Sequence, residues 1–300
     1  MTELRIGISG WTYEPWRGVF YPKDLSQKRE LEFASRQMNS IEINGTFYKL
    51  QSPDSYRKWA SEVPDDFVFS IKGSQYISHK RRLKDIRIPL ANFFASGLLQ
   101  FGEKLGPILW QFAPFFPFKP DRVSEFLKLL PRTTEEASIL ASENTIKNPK
   151  HVWTIPAAKA RLRYAFEPRH PSFFCAEFID LLRKHNAALV FADSAGKWEY
   201  AEDVTADHIY IRLHGSKELY ASGYTDEELD RWAKRIKTWR KGSEPRDAKK
   251  ITKDKPPRNE RDIYVYFDND IKVHAPFDAI HLAERLGIKS KGPALGAGPR

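Results

Sequence analysis

Eight short β-rich runs punctuate this chain, and each stops at hydrogen-bonding or ionisable residues. They are Leu4–Ser9, Ser40–Asn44, Phe67–Lys72, Ile108–Phe112, Leu162–Glu167, Ala187–Ala192, His208–Leu213 and Ile263–Asp268. Most of the intervals carry a helical pattern. Eight alternating β and α units are the pattern of an α/β protein, a (β/α)8 TIM-barrel-like single domain. Such a barrel places its active site at the carboxyl ends of the strands. The pattern therefore predicts where chemistry sits, without naming the reaction.

One domain of this kind accommodates all 300 residues, of which 41% are hydrophobic and 13% aromatic. The single cysteine, Cys175, leaves no internal disulfide and fits a reducing compartment. It reads as a small apolar filler on the helix after the fifth strand. The first strand starts at residue 4, ahead of which no signal peptide fits, and no apolar run approaches the ~20 residues that span a bilayer. The expectation is a soluble, cytoplasmic protein with no membrane partner. The oligomeric state is not legible.

A net charge of +10 invites a nucleic-acid reading. Residues 241–261, however, hold eight Lys or Arg against four acids, and the terminal stretch adds Arg285, Lys289, Lys291 and Arg300 with no acid after Glu284. The basicity is largely peripheral, which supports a nucleic-acid partner only weakly.

Helical periodicity is clearest late in the chain. Thr225 and Glu228 form a capping box, followed by Leu229, Trp232, Ala233, Ile236 and Trp239 at helical spacing. Val123, Phe126, Leu127 and Leu130 repeat in the same way, as do Phe277, Ile280, Ala283 and Leu286. Ser172 is expected to open a helix with Phe174, Phe178, Leu181 and Leu182 inward. Two long segments, 132–160 and 241–262, follow a helix and precede a strand, so both are expected as insertions on the amino-terminal face. The second is basic, Pro-rich and nearly devoid of apolar residues, the composition of a disordered insertion. The domain is thus expected over residues 1–288, with a flexible tail at 289–300.

The strand ends carry a family resemblance. The stretches ISGWTYEPWRGVFYP and IEINGTFYKL, with GPILWQF at 106–112, FEPRHPSFF at 166–174, YIRLHG at 210–215 and VYFDND at 265–270, are similar to the bacterial DUF72, or YecE-like, proteins. The resemblance covers nearly the whole chain in order. It implies a TIM-barrel-like fold, in agreement with the strand count, and no established activity. Two departures stand out: Phe174 replaces a tryptophan common in the family, and the 241–262 insertion is longer than usual.

Side chains alternate along a strand, so Glu42 and Asn44 share a face, as do Arg212 and His214. A barrel gathers such strand-end groups around one mouth. Glu42 and Glu167 are the leading acid/base candidates, since one neutral and one ionised carboxyl provide what cleavage of a glycosidic or phosphoester bond needs. A salt bridge from Glu42 to Lys72 is the competing structural role. His214 and Asp268 complete the expected catalytic set, with Asp268 orienting His214 or a water. Lys72, Arg82, Arg169 and Arg212 are expected to hold an anion while Trp11 and Tyr13 stack on the substrate. Asn44, His79, Gln111, His170, Asp193 and Asn269 complete the substrate-binding set.

His79, His170 and His214 with Asp193, Asp268 and Asp270 could instead ligate a divalent metal such as zinc or manganese, although no closely spaced ligand pair supports it. No cofactor is otherwise expected. The sequence lacks a Gly-x-Ser-x-Gly elbow, a Gly-x-x-x-x-Gly-Lys phosphate loop and a strand-borne Gly-x-Gly-x-x-Gly. The leading expectation is acid/base chemistry on a small anionic substrate, a phosphate ester or nucleic-acid fragment. A carbohydrate-active hydrolase and a non-catalytic binder of a small anion or nucleic acid are the alternatives.

Overall fold

In a computed structural model of the chain, which describes residues 2–293 and Leu295, eight parallel strands close into a barrel in chain order. They are β1 (Leu4–Ser9), β2 (Ser40–Ile43), β3 (Val68–Lys72), β4 (Leu105–Gln111), β5 (Tyr164–Glu167), β6 (Ala188–Asp193), β7 (His208–Leu213) and β8 (Asp262–Phe267). All eight expected strands are present, with ends shifted by up to three residues. The widest shift is at β4, which begins at Leu105. The Gly106-Pro107 pair obscures the start of that strand in the sequence.

Burial follows the strands. Ile6, Ile8, Ile41, Phe69, Ile71, Ile108, Ile211, Val265 and Phe267 are almost entirely hidden, as a sheet covered on both faces requires. Chain contacts divide the molecule into two compact units, residues 1–42 with 188–300 and residues 43–187. In the first unit β8, β1 and β2 run side by side, with Ser9 opposite Glu42. There β7 bridges β6 and β8, with Ala192 opposite Arg212 and Leu213 opposite Phe267. In the second unit β4 lies between β3 and β5, and Gln111 faces Glu167.

The expected helices largely form. Thr225 and Glu228 make the reciprocal capping box of the helix Asp226–Arg240, which buries Leu229, Trp232, Ala233, Ile236 and Trp239. Three details differ from expectation. Residues 132–160 are not a plain loop: Thr133 accepts a hydrogen bond from the Glu136 amide and starts the helix Thr134–Ala141. The helix after β5 spans Ala176–Lys184 rather than starting at Ser172, because Pro171–Phe173 form a separate 3-10 turn capped by His170. Cys175 is accordingly half-exposed at the N-cap position and is not an interior filler.

Among the described residues, the interval between β6 and β7 is the one that contains no helix. The basic segment 241–262 docks onto this crossover. The Lys249 amide donates to Glu202 Oε2 at 2.9 Å and its carbonyl accepts from the Glu202 amide at 2.7 Å. The Ile251 and Thr252 amides donate to the two oxygens of Asp203 at 2.6 and 3.0 Å. Both acids are buried, so these bonds replace water the carboxylates have lost. In the terminal stretch, the Lys291 amide donates to Arg36 O and Gln37 Nε2 donates to Pro293 O. Gly296 and Gly298, read as part of a flexible tail, lie outside the described residues.

Candidate functional site

Strand alternation points Tyr210, Arg212 and His214 to one side of β7. In the first unit this row meets the ends of β1, β2 and β8. Arg212, with no solvent exposure, grips Glu42 side-on: Nε donates to Oε2 at 3.1 Å and Nη2 to Oε1 at 2.8 Å. The Ser9 hydroxyl donates to Glu42 Oε1 at 2.9 Å and the Tyr210 hydroxyl to Oε2 at 2.6 Å. Four donors use the accepting capacity of the carboxylate, so Glu42 is fixed in place. One layer down, the Ser40 and Tyr266 hydroxyls pair at 2.7 Å.

Arg212 Nη2 also donates to Asp268 Oδ2 at 2.8 Å, and Nη1 lies 3.4 Å from His214 Nε2. A guanidinium cannot accept, so Nε2 is the accepting nitrogen and the proton of a neutral imidazole resides on Nδ1. That nitrogen lies 3.0 Å from Asp268 Oδ2. Trp198 and Tyr220 meet the fully buried His214 ring edge-on at 6.1 and 5.4 Å. Beside this group, burial first and then the Asp268 charge raise the Asp270 carboxyl to about 6, against the pull of the Tyr13 hydroxyl. Tyr13 also donates to Ser9 O at 2.5 Å, and Trp16 Nε1 donates to Asp270 O at 3.0 Å. The group holds three carboxylates, Glu42, Asp268 and Asp270, and one guanidinium. It is electronegative.

The second unit has its own group. Glu167, at the end of β5 and 1% exposed, accepts from Gln111 Nε2 and from Arg169 Nε on the same oxygen, both at 2.9 Å. Lys72 ends β3 with its ammonium 4.6 Å from the centre of the Phe47 ring. Phe47 also meets His79 edge-on at 5.0 Å. Burial, then Arg169 and Lys72, lower the His79 imidazole to about 4, with Glu167 opposing. The ring is therefore neutral near pH 7. Here two cations face one carboxylate, and the balance is positive.

The structure thus gathers Glu42, Arg212, His214 and Asp268 in one group and Lys72, His79, Gln111, Glu167 and Arg169 in another. Trp11 is half-buried, and its carbonyl accepts from the Tyr21 hydroxyl at 2.6 Å. Asn44 starts the short helix Gly45–Tyr48. Arg82 is exposed, with its guanidinium 5.6 Å from the Phe115 ring centre. His170 Nδ1 accepts the Ser172 amide at 3.2 Å, a capping role. Asn269 is fully buried, donating to Ser222 O and to Asp278. Asp193 accepts from the Tyr224 hydroxyl at 3.2 Å.

Among the described residues, no three His, Cys, Asp or Glu side chains converge as a metal ion would require. Ser9, Tyr210, Trp198 and Tyr220 were not singled out from the sequence. Tyr210 was accessible there, since it stands two residues before Arg212 on the same face. Ser9 likewise ends β1 directly opposite Glu42.

The sequence matches, over residues 5–300, the family described as protein of unknown function DUF72. The chain belongs to the DUF72 family. It is 29% identical over 126 residues to UPF0759 protein YunF of Bacillus subtilis, covering 40% of this chain and 44% of the relative. It is also 29% identical over 128 residues to UPF0759 protein YecE of Escherichia coli K12, covering 38% and 44%. The aligned part thus spans less than half of either relative. Among solved structures, a DUF72 protein of Thermotoga maritima superposes with a TM-score of 0.70 at 23% identity, over 95% of this chain and 99% of that one. A DUF72 protein of Enterococcus faecalis gives 0.66 at 15% identity, over 95% and 96%. These likenesses establish the DUF72 barrel fold. No helix in the described residues is long and apolar enough to cross a membrane.

Proposed function

We propose that this DUF72 protein is an acid/base hydrolase acting on a small anionic substrate, and that the bond it breaks is glycosidic. The observation that carries this reading is the first unit's group of Glu42, Asp268 and Asp270 around the single guanidinium of Arg212. Glu42 is saturated by donors and serves to fix Arg212. Asp268 accepts from Arg212 Nη2 at 2.8 Å and lies 3.0 Å from His214 Nδ1. Asp270, raised to about 6, carries a proton over part of the neutral range and is suited to give it to a leaving oxygen. An excess of carboxylate favours a transition state that gains positive charge, as an oxocarbenium-like sugar does. It repels the equatorial oxygens of a phosphoryl group.

In the second unit, where Lys72 and Arg169 outnumber Glu167, a separate group favours a second reading, hydrolysis of a phosphate ester or nucleic-acid fragment. A panel of 4-nitrophenyl glycosides, including the glucuronide, run beside 4-nitrophenyl phosphate and bis(4-nitrophenyl) phosphate, separates the two. The glucuronide is expected to turn over, with an alkaline limb near pH 6. Asp270→Asn is expected to remove that limb and to lower kcat by roughly 10²–10⁴-fold. Turnover of the phosphates alone would move the assignment to the second reading. No turnover of any substrate, or an Asp270→Asn variant as active as the wild type, would end the acid/base proposal.

A further inference from the structure

The helix-less crossover between β6 and β7, the outer helix Asp226–Arg240 and the basic segment together enclose a cavity of about 260 Å³. Its frame is a closed set of ion pairs. Glu202 accepts from the Tyr200 hydroxyl at 2.5 Å, from the Lys249 amide at 2.9 Å and from Arg235, whose other nitrogen bonds Asp247 at 2.7 Å. Glu202 and Arg235 are therefore spent on holding the walls together.

What remains facing the space is different in kind. Trp198, Tyr200 and Trp232 supply aromatic surface. Arg231 and Lys249 also line it, and among the described residues neither side chain has an ion-pair partner. The Lys249 ammonium stands 5.9 Å from the Tyr200 ring centre. Trp232 is only 3% exposed and closes the base of the wall. Aromatic walls with Arg231 and Lys249 at their edge, beside Asp193 and Asp247, which share the lining and lie in the field of Arg231, suit a flat ligand that brings negative charge.

We propose that this cavity is a binding site for a planar aromatic anion: one or two fused rings bearing a carboxylate or a phosphate. The ring lies against Trp198 and Tyr200, and the anionic group meets Arg231 and Lys249. The cavity is below the ~300–1,000 Å³ usual for drug-sized ligands, which limits the occupant to a small metabolite. This assignment does not depend on the Asp270 chemistry. It bears on it, because the indole that walls the cavity is the one packed against His214.

Isothermal titration calorimetry on the full chain tests the site, with 2-naphthoate against neutral 2-naphthamide and adenosine monophosphate against adenosine. At least one anion is expected to bind at a single site, at least ~10-fold more tightly than its neutral counterpart, since charge-assisted hydrogen bonds carry that difference. Which anion binds tells a carboxylate source from a phosphate source. The double variant Arg231→Ala/Lys249→Ala is expected to lose ~10-fold or more in affinity. Its unchanged thermal midpoint would show that the fold is intact, as both side chains are exposed. Trp198→Leu tests the aromatic wall independently and is expected to weaken both anions. The proposal is overturned if neither anion binds below about 1 mM, if acid and amide bind equally, or if the double variant binds like the wild type.

Discussion

Two glutamates stand at strand ends, one in each unit, and they are held in opposite ways. Glu42 takes four donors from β1 and β7, including a guanidinium 170 residues away in sequence. Glu167 takes Gln111 from the adjacent strand and Arg169 from two residues along its own chain, both on Oε1. The Arg212 side chain is wholly buried, whereas that of Arg169 keeps 13% of its exposure. The surroundings differ in sign as well, with excess carboxylate around Arg212 and excess cation around Glu167. A long-range, fully desolvated pair ties strands together, while a local, partly wetted pair positions a group for something else.

The largest expected effect breaks that contrast if it fails. Arg212→Ala strands two buried carboxylates and is expected to cost about 3–5 kcal/mol in urea unfolding. Arg169→Ala is expected to cost roughly 1–2 kcal/mol, because its partner retains the Gln111 donor. Equal losses would mean the two groups are not different in kind.

Asp278 sharpens the picture within the first unit. It is 6% exposed and takes the Asn269 amide and the Tyr224 N–H on one oxygen. Burial lifts its carboxyl to about 7 from an ordinary 3.8. The folded state therefore holds this proton more tightly than the unfolded chain. The stabilisation is complete below about 4 and is lost as pH rises through about 7. Asp278→Asn should raise the thermal midpoint at pH 8, by about 2–4 °C per kcal/mol regained, and should do little at pH 4. A gain of the same size at both pH values would show that charge is not the cause.

The smallest effect concerns His79 in the second unit. Its imidazole is lowered to about 4, so stability falls as pH drops from about 6.5 through 4. Nuclear magnetic resonance titration of the ring should find its midpoint well below that of an exposed histidine. Arg169→Ala should move the midpoint upward, since Arg169 is the second cause after burial. A midpoint unmoved by Arg169→Ala would remove the cationic field assigned to this unit.

Much of this was legible in the sequence. Eight apolar runs ending in polar residues gave the strands, because a strand buried on both faces must be continuously apolar until it reaches the mouth. Arg212, His214 and Asp268 were visible for the same reason. The partner of Arg212 was not: Lys72 was the expected competitor for Glu42, and one-dimensional spacing does not tell which strand end reaches a carboxylate. Residues 132–160 hid a helix because Thr134–Ala141 spans barely two turns, too short for periodicity to register. The cavity walls lie 51 residues apart, at Trp198 and Lys249, and are joined by backbone amides that composition does not reveal.

The pairing of Glu42 with Arg212 also sets a schedule for synthesis. A ribosome adding ~5–20 residues per second needs on the order of 10–30 s to make the 170 residues between them. Throughout that interval the nascent chain carries Glu42 without its counter-charge, so the first two strands cannot be sealed into a dry interior. Sealing around Glu42 waits for the seventh strand to leave the exit tunnel, and closure of the barrel waits for the eighth, which pairs with the first.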